Sequence, residues 1–310
     1  MIRLAAIKLL RAVLTVWIVV TLAFVVLSVT GNPAETLAGP EAPAAVIEAY
    51  EERFGLNRPL GERYLSYLSS LAQGDFGISY ADRRPAADII TEALPATLQL
   101  ALVALAFAIV TGITFGFIAA LYRNSAIDRG IMTLAVLGYA TPNFFLGIVL
   151  IILFAMVWRV LPSSGHGTWA HLVLPALTLG THNAATIARF TRSAVLEVLN
   201  QPYMIAARAR GVPALRLMRA HVWPNAAIPV VTILGFRFGD VIVGTIVVET
   251  VFAWPGLGRV LVSAVSDRDL AVVLAFLILS ACVMITVNLI VDLTYGLLDP
   301  RVRALQTRRT

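Results

Sequence analysis

Apolar residues run along this chain in long blocks with short polar breaks, not at the spacing of half-buried strands or surface helices. Six blocks come near or above the roughly 20 residues that a helix needs to cross a ~30 Å hydrocarbon layer. They cover residues 10–30, 96–121, 131–157, 171–191, 226–248 and 270–297. The third belongs to a region without charge from Gly130 to Trp158. As one straight helix it would be roughly 43 Å long, so the chain must tilt or break, and Pro142 is the natural break. The pattern predicts an all-α integral membrane protein of about six transmembrane helices.

The organisation follows. Residues 1–30 form a first transmembrane helix, and residues 31–95 an extracytoplasmic segment. Residues 96–298 form a five-helix core containing a cytoplasmic loop at 192–224, and 299–310 a tail. The apolar run Ala12–Thr30 is too long for a signal-peptide core, and Asn32 and Pro33 follow where a small-residue cleavage site would stand, so it reads as an uncleaved helix. Within the outer segment, Glu48–Phe54 and Leu60–Leu71 have helical composition, whereas Gly74–Tyr80 with Pro85 reads as turn and extended chain. Two glycine pairs, Gly112 with Gly116 and Gly235 with Gly239, suit close helix packing inside the bundle or against a second membrane subunit.

Composition agrees: 59% of the chain is apolar, 14% is charged and the mean hydropathy is +0.83, leaving too few polar residues to cover a soluble globule. The net charge of +6 does not imply nucleic acid, because the basic residues sit between the apolar blocks instead of on one face. With the N-terminus inside, 15 Lys and Arg fall on the cytoplasmic side and 8 outside, which places both termini in the cytoplasm. The segment Gly31–Glu92 holds ten acidic residues against five arginines, as an outer segment should. The single Cys282 excludes an intrachain disulfide, and His166, His171, His182 and His221 are too scattered for a metal site. Nothing resembles a Gly-x-Ser-x-Gly, His-Glu-x-x-His or phosphate-binding Gly-x-x-x-x-Gly-Lys-Ser/Thr motif, so no catalytic residue and no ATP site is expected in this chain.

The most informative polar segment runs from Tyr203 to Asn225. Its Ala, Met, Leu and Arg favour helix, Gly211 and Pro213 force a turn, and Pro224 starts the next span, which predicts two short helices in an L. Arg208, Arg210, Arg216 and Arg219 make it basic, while Ile205, Ala206, Ala209, Leu215 and Leu217 supply an apolar side. Composition alone leaves two readings: docking into a groove of a soluble partner, or lying on anionic head groups.

Spacing favours the first. The segment resembles the EAA loop of ABC importer permeases, which reads Glu-Ala-Ala, three residues, Gly, nine residues, an apolar residue, one more, then Leu-Pro. Ala206, Ala207, Gly211 and Pro224 fall on its alanines, glycine and proline, whereas Ile205, His221 and Trp223 depart from it. Those departures, with Ala207-Arg-Ala-Arg-Gly211, look like the dipeptide/oligopeptide branch. So do Phe54–Pro59, Gly74–Ser79, Leu94–Leu98, Pro142–Gly147, Glu249–Gly258 and Asp299–Arg303, in order along nearly the whole chain.

The resemblance implies the type I ABC importer permease architecture and a pore-forming subunit that moves di/oligopeptides or similar solutes across the bacterial cytoplasmic membrane. It implies as partners a second homologous permease, two ATPase subunits carrying the ATP and Mg, and an extracytoplasmic solute-binding protein, besides the bilayer. Ala206, Ala207, Arg208, Arg210, Gly211 and Pro224 would form the ATPase-coupling loop.

Arg237 and Asp240 lie within the fifth block, where charge is costly and must face a partner or water. They could form an i,i+3 ion pair or line the solute path, meeting a peptide carboxylate and ammonium. Glu249, with Trp254, marks an expected outer gate. The same ionisable residues leave an ion-coupled secondary transporter as the alternative.

Overall fold

The structure is a computed structural model that describes residues 2–29, 32–39 and 42–298; some side chains inside helices, that of Asp240 among them, lie outside the described set. The elements are helical throughout the described residues. Helix α1 spans Ile2–Val29, and the polar segment after it folds as α2 (Pro33–Ala38), α3 (Ala44–Phe54) and α4 (Leu60–Ala72). Then come α5 (Ala86–Leu121), α6 (Ala126–Ala140), α7 (Asn143–Leu150), prolonged by a π-helical stretch Ile151–Val157, and α8 (Trp169–Leu199). Next are α9 (Pro202–Ala209), α10 (Ala214–Leu217), which continues through a π-helical stretch Met218–Val222 into α11 (Trp223–Val251), α12 (Leu257–Ser266) and α13 (Leu270–Leu298).

Helices therefore occupy all six predicted blocks. The third is broken by 106° between Ala140 and Asn143. Pro142 causes the break, because a residue before proline is driven from the helical region, and Thr141 is accordingly extended at φ −79°, ψ 121°. Helix α5 starts at Ala86 and runs through Pro95, so it reaches well beyond the predicted block into the polar segment. Among the described residues α5 alone is long and apolar enough to cross a membrane unbroken, and the bent pair passes the same test together.

The polar segment folds as its composition predicts at α3 and α4, and the Gly74–Pro85 stretch is held by a bridge between Ile78 and Pro85. Helices α2 and α12 are additions. Helix α2 follows from local chemistry: Asn32 caps it, its side chain accepting from the Ala34 N–H at 3.0 Å, with Pro33 in the first turn.

The chain divides into two compact units. The first comprises Met1–Thr97 and Pro255–Ile285. Its core joins Val20 and Phe24 of α1 to Leu270 and Leu274 of α13, with Tyr64, Tyr67 and Tyr80 packed around them. The Phe24 ring lies 5.3 Å from Tyr64 and 6.0 Å from Tyr67, and the Thr21 and Tyr64 hydroxyls share a 2.6 Å hydrogen bond. Asp269 caps α13 and accepts from the buried Ser79 hydroxyl, while Thr97 accepts from the Leu257 N–H at 2.7 Å.

The second unit, Leu98–Trp254 with Thr286–Thr310, is organised around α8. This helix is less apolar than its neighbours because it is surrounded by protein. Its Thr178, Asn183, Thr186 and Thr191 are buried, and Thr178 and Asn183 donate back to the carbonyls of Leu174 and Leu179. Helix α5 crosses it at glycines. A Cβ on Gly112 would stand 2.7 Å from the Ile187 Cβ, one on Gly116 2.7 Å from the Thr191 Cβ, and one on Gly180 2.8 Å from the Ala104 carbonyl. The first glycine pair thus serves packing inside this bundle; Gly239 of the second lies outside the described side chains.

Candidate functional site: the loop between α8 and α11

The segment from Asn200 to Pro224 contains the two predicted short helices, but only the first is separate. Helix α9 opens with Pro202 in its first turn and closes in a Schellman motif. The Val212 N–H donates to the Ala207 carbonyl at 3.3 Å and the Gly211 N–H to the Arg208 carbonyl at 2.9 Å. Gly211 has φ +73°, the left-handed conformation that glycine adopts without steric penalty. Pro213 then sets the entry to α10, whose axis runs on into α11.

The continuity has a chemical reason. Pro224 has no N–H and its ring crowds the carbonyl four residues earlier, so a regular turn cannot form there. The chain keeps helical torsions but widens to an i→i−5 pattern, in which the Trp223 N–H donates to the Met218 carbonyl. Asn225 adds a side-chain bond to the His221 carbonyl at 2.7 Å. What happens at α10 is therefore carried directly into α11.

The loop has two faces. Met204, Ala207, Leu217 and Val222 are buried in one core with Ala120 of α5, Ala194, Val195 and Val198 of α8, and Ala226 and Val230 of α11. The other face is open: Ile205 is 63% exposed and Leu215 65%, and Tyr203, Ala206, Arg208, Ala209, Arg210, Gly211, Arg216 and Arg219 are exposed beside them. The expected apolar side is thus divided, with Leu217 turned inward and Ile205, Ala206, Ala209 and Leu215 outward. Ala207 is 3% exposed and holds the loop to its own bundle, whereas Ala206 faces outward. Pro224 is exposed at the start of α11.

The remaining predicted site residues are not part of this surface. Arg237 is half-buried in α11, but the side chain of Asp240 lies outside the described set. Glu249 and Trp254 are both fully buried near the end of α11. The Trp254 N–H donates to the Glu249 carbonyl at 2.8 Å, and His166 stands edge-on to the Trp254 ring at 4.8 Å. Nearby, the Gly165 N–H donates to the Phe252 carbonyl at 3.1 Å. This corner is a packed joint between the end of α11 and the loop before α8. His182 stacks on Tyr139 at 4.9 Å.

One interaction beside the loop is not apparent in the sequence pattern. Arg192, near the end of α8, donates to both carboxylate oxygens of Asp128 in the first turn of α6, each at 2.7 Å. The Asn124 N–H adds a third bond at 2.9 Å. These hydrogen bonds, above all those of Arg192, hold the Asp128 carboxyl below its ordinary range against the opposing effect of burial. The only cue is an isolated Asp and Arg at the rims of two apolar blocks, which does not say that they meet.

Comparisons with known proteins bear on what such a bundle and loop do. The sequence profile of the binding-protein-dependent transport system inner membrane component matches residues 112–304, and that of the N-terminal part of such membrane components matches residues 1–101. The chain is 44% identical over 297 residues to the glutathione transport system permease protein GsiC of Escherichia coli (strain K12), covering 96% of this chain and 97% of that protein. It is equally similar to the protein of the same name from Shigella dysenteriae serotype 1. Among solved structures, an inward-facing form of the MetNI methionine ABC transporter matches 68% of this chain and 96% of its own, with a TM-score of 0.58 at 18% identity. An amino acid ABC transporter with histidines matches 67% and 93%, with a TM-score of 0.52 at 18% identity. At such identities the two structures speak for the fold alone.

Proposed function

Because the chain belongs to the binding-protein-dependent transport system inner membrane component family, and so is a membrane-embedded permease subunit of an ABC importer, we propose that it forms half of a translocation path for short peptides, glutathione-like peptides included. In this reading a second homologous permease completes the path, two ATPase subunits bind ATP and Mg, and an extracytoplasmic solute-binding protein delivers the cargo. Both termini lie in the cytoplasm of a bacterium, and the outer segment 31–95 faces the binding protein.

The observation that carries the mechanism is the two-faced loop. Its inner face is fixed in a core shared with α5, α8 and α11, and the outer face of α9 offers Ile205, Ala206, Arg208 and Arg210 to a partner. A force applied to α9 passes through the Gly211 turn into α10, which is continuous with α11. Closing of the ATPase pair therefore turns α11, and the bundle shifts between inward- and outward-open states. The peptide assignment rests on the sequence blocks and on the similarity to the GsiC proteins. Those relatives give no support to the ion-coupled alternative.

The test is uptake into proteoliposomes containing the assembled complex. Labelled short peptides should enter only with internal ATP and the binding protein outside. Uptake abolished by a protonophore with ATP intact would overturn the reading in favour of ion coupling. Orientation is read from cysteines at residues 60 and 305 in a Cys282→Ser background: an impermeant thiol reagent should label residue 60 on whole cells and leave 305 unlabelled.

A further inference from the structure

Between the last turns of α5 and the α10–α11 rod lies a groove of about 440 Å³, lined by Ile113, Thr114, Phe117, Ile118, Leu215, Met218, Arg219 and Trp223. Its walls are almost entirely apolar, and its polar groups are few: Thr114, the Arg219 guanidinium and the indole of Trp223. Among the described residues Arg219 has no carboxylate partner. From Asn200 to Pro224 there are four arginines and not one Asp or Glu.

Position narrows the occupant. Thr114 stands about 10 Å of helix from the end of α5 at Leu121, after which the chain turns polar with Tyr122-Arg123-Asn124. That is the depth at which an acyl chain begins below its head group. Trp223 is 42% exposed and meets Phe117 edge-on at 6.3 Å, an aromatic pair at the boundary level where such rings sit. A soluble partner would leave the deep apolar end unfilled, and a free anion would leave the walls bare. We infer that this groove holds one acyl chain of an anionic phospholipid whose phosphate is met by Arg219. Such a lipid would bear directly on the π-helical stretch Met218–Val222, the joint through which motion of the loop reaches α11.

The site is tested on the complete importer in nanodiscs of phosphatidylcholine containing a minor share of phosphatidylglycerol, with lipids retained on the complex counted by native mass spectrometry. Arg219→Gln should lower phosphatidylglycerol retention roughly fivefold, the effect expected of one basic residue near an anionic phosphate. Thr114→Trp, which fills the groove and keeps the charge, should lower it comparably. If that variant fails to assemble, Ile118→Trp poses the same question. Arg208→Gln, the same charge change away from the groove, should leave retention as in the unaltered protein. Equal losses for Arg208→Gln and Arg219→Gln with none for the groove-filling variants would mean diffuse attraction and overturn the site, as would retention unchanged in every variant. Leu215→Cys in a Cys282→Ser background should stay unlinked to other subunits. Its quantitative disulfide capture by an engineered cysteine on another subunit would show that protein fills the groove, and would overturn the lipid.

Discussion

Arg192 grips Asp128 through two parallel hydrogen bonds of 2.7 Å, tying the first turn of α6 to the end of α8. The fork suits a guanidinium and no other side chain, and the carboxylate it meets is 5% exposed. Removing one partner leaves a buried charge without compensation.

Asp128→Asn and Arg192→Gln should therefore each destabilise the permease by roughly 3 kcal/mol, the lower end for a buried pair because a quarter of Arg192 remains exposed. The depressed carboxyl value fixes the pH dependence. Its contribution is complete above the unfolded value of 3.8 and is lost only as pH falls through the lower folded value. Thermal unfolding of the purified complex should show an Asp128→Asn deficit that is constant between pH 5 and 8. A deficit that varied across that range would assign the effect to another group.

Gly211→Ala places a Cβ in a left-handed residue with open space around it, so the cost is torsional, about 1–2 kcal/mol, and falls on the turn alone. The variant should insert and bind its ATPases, while peptide-stimulated ATP hydrolysis falls relative to basal hydrolysis. Unchanged stimulation would mean that the Gly211 turn does not transmit the movement.

Arg237 and Asp240 decide between two roles through a double change. If the pair is structural, Arg237→Gln with Asp240→Asn should restore both co-purification with the partner subunits and peptide uptake that each single change loses. If it lines the path, the double variant should assemble but transport poorly or with altered selectivity. Full uptake across several peptides would eliminate the path role.

The six helices were readable because a bilayer imposes long apolar blocks, and the break at Pro142 because proline constrains the residue before it. The Gly211 turn was readable for the same kind of local reason. The extension of α5 to Ala86 was not, since its first turns carry Asp88 and Glu92 and look like loop; Glu92 is in fact paired with Arg84. Nor was the Asp128–Arg192 fork, which joins residues 64 apart. Helix α12 has no side-chain cap to announce it. The inward turn of Ala207 was hidden too, because the spacing of a motif does not say which alanine faces which side.

That pair of alanines separates seating from docking. Ala206 is exposed and Ala207 buried at 3%, packed with Met204, Leu217 and Val222 against α5, α8 and α11. Enlarging the buried one forces extra methylenes into a filled core, at about 1–3 kcal/mol. Enlarging the exposed one costs the isolated permease almost nothing but obstructs whatever approaches α9. Ala207→Leu should thus lower the thermal stability of the permease measured without its ATPases, and weaken coupling only as a consequence. Ala206→Leu should leave that stability unchanged while reducing ATPase co-purification and peptide-stimulated hydrolysis. The opposite assignment, a stable Ala207→Leu permease that loses its ATPases beside an Ala206→Leu variant that keeps them, would mean that the loop is turned over in the assembled transporter.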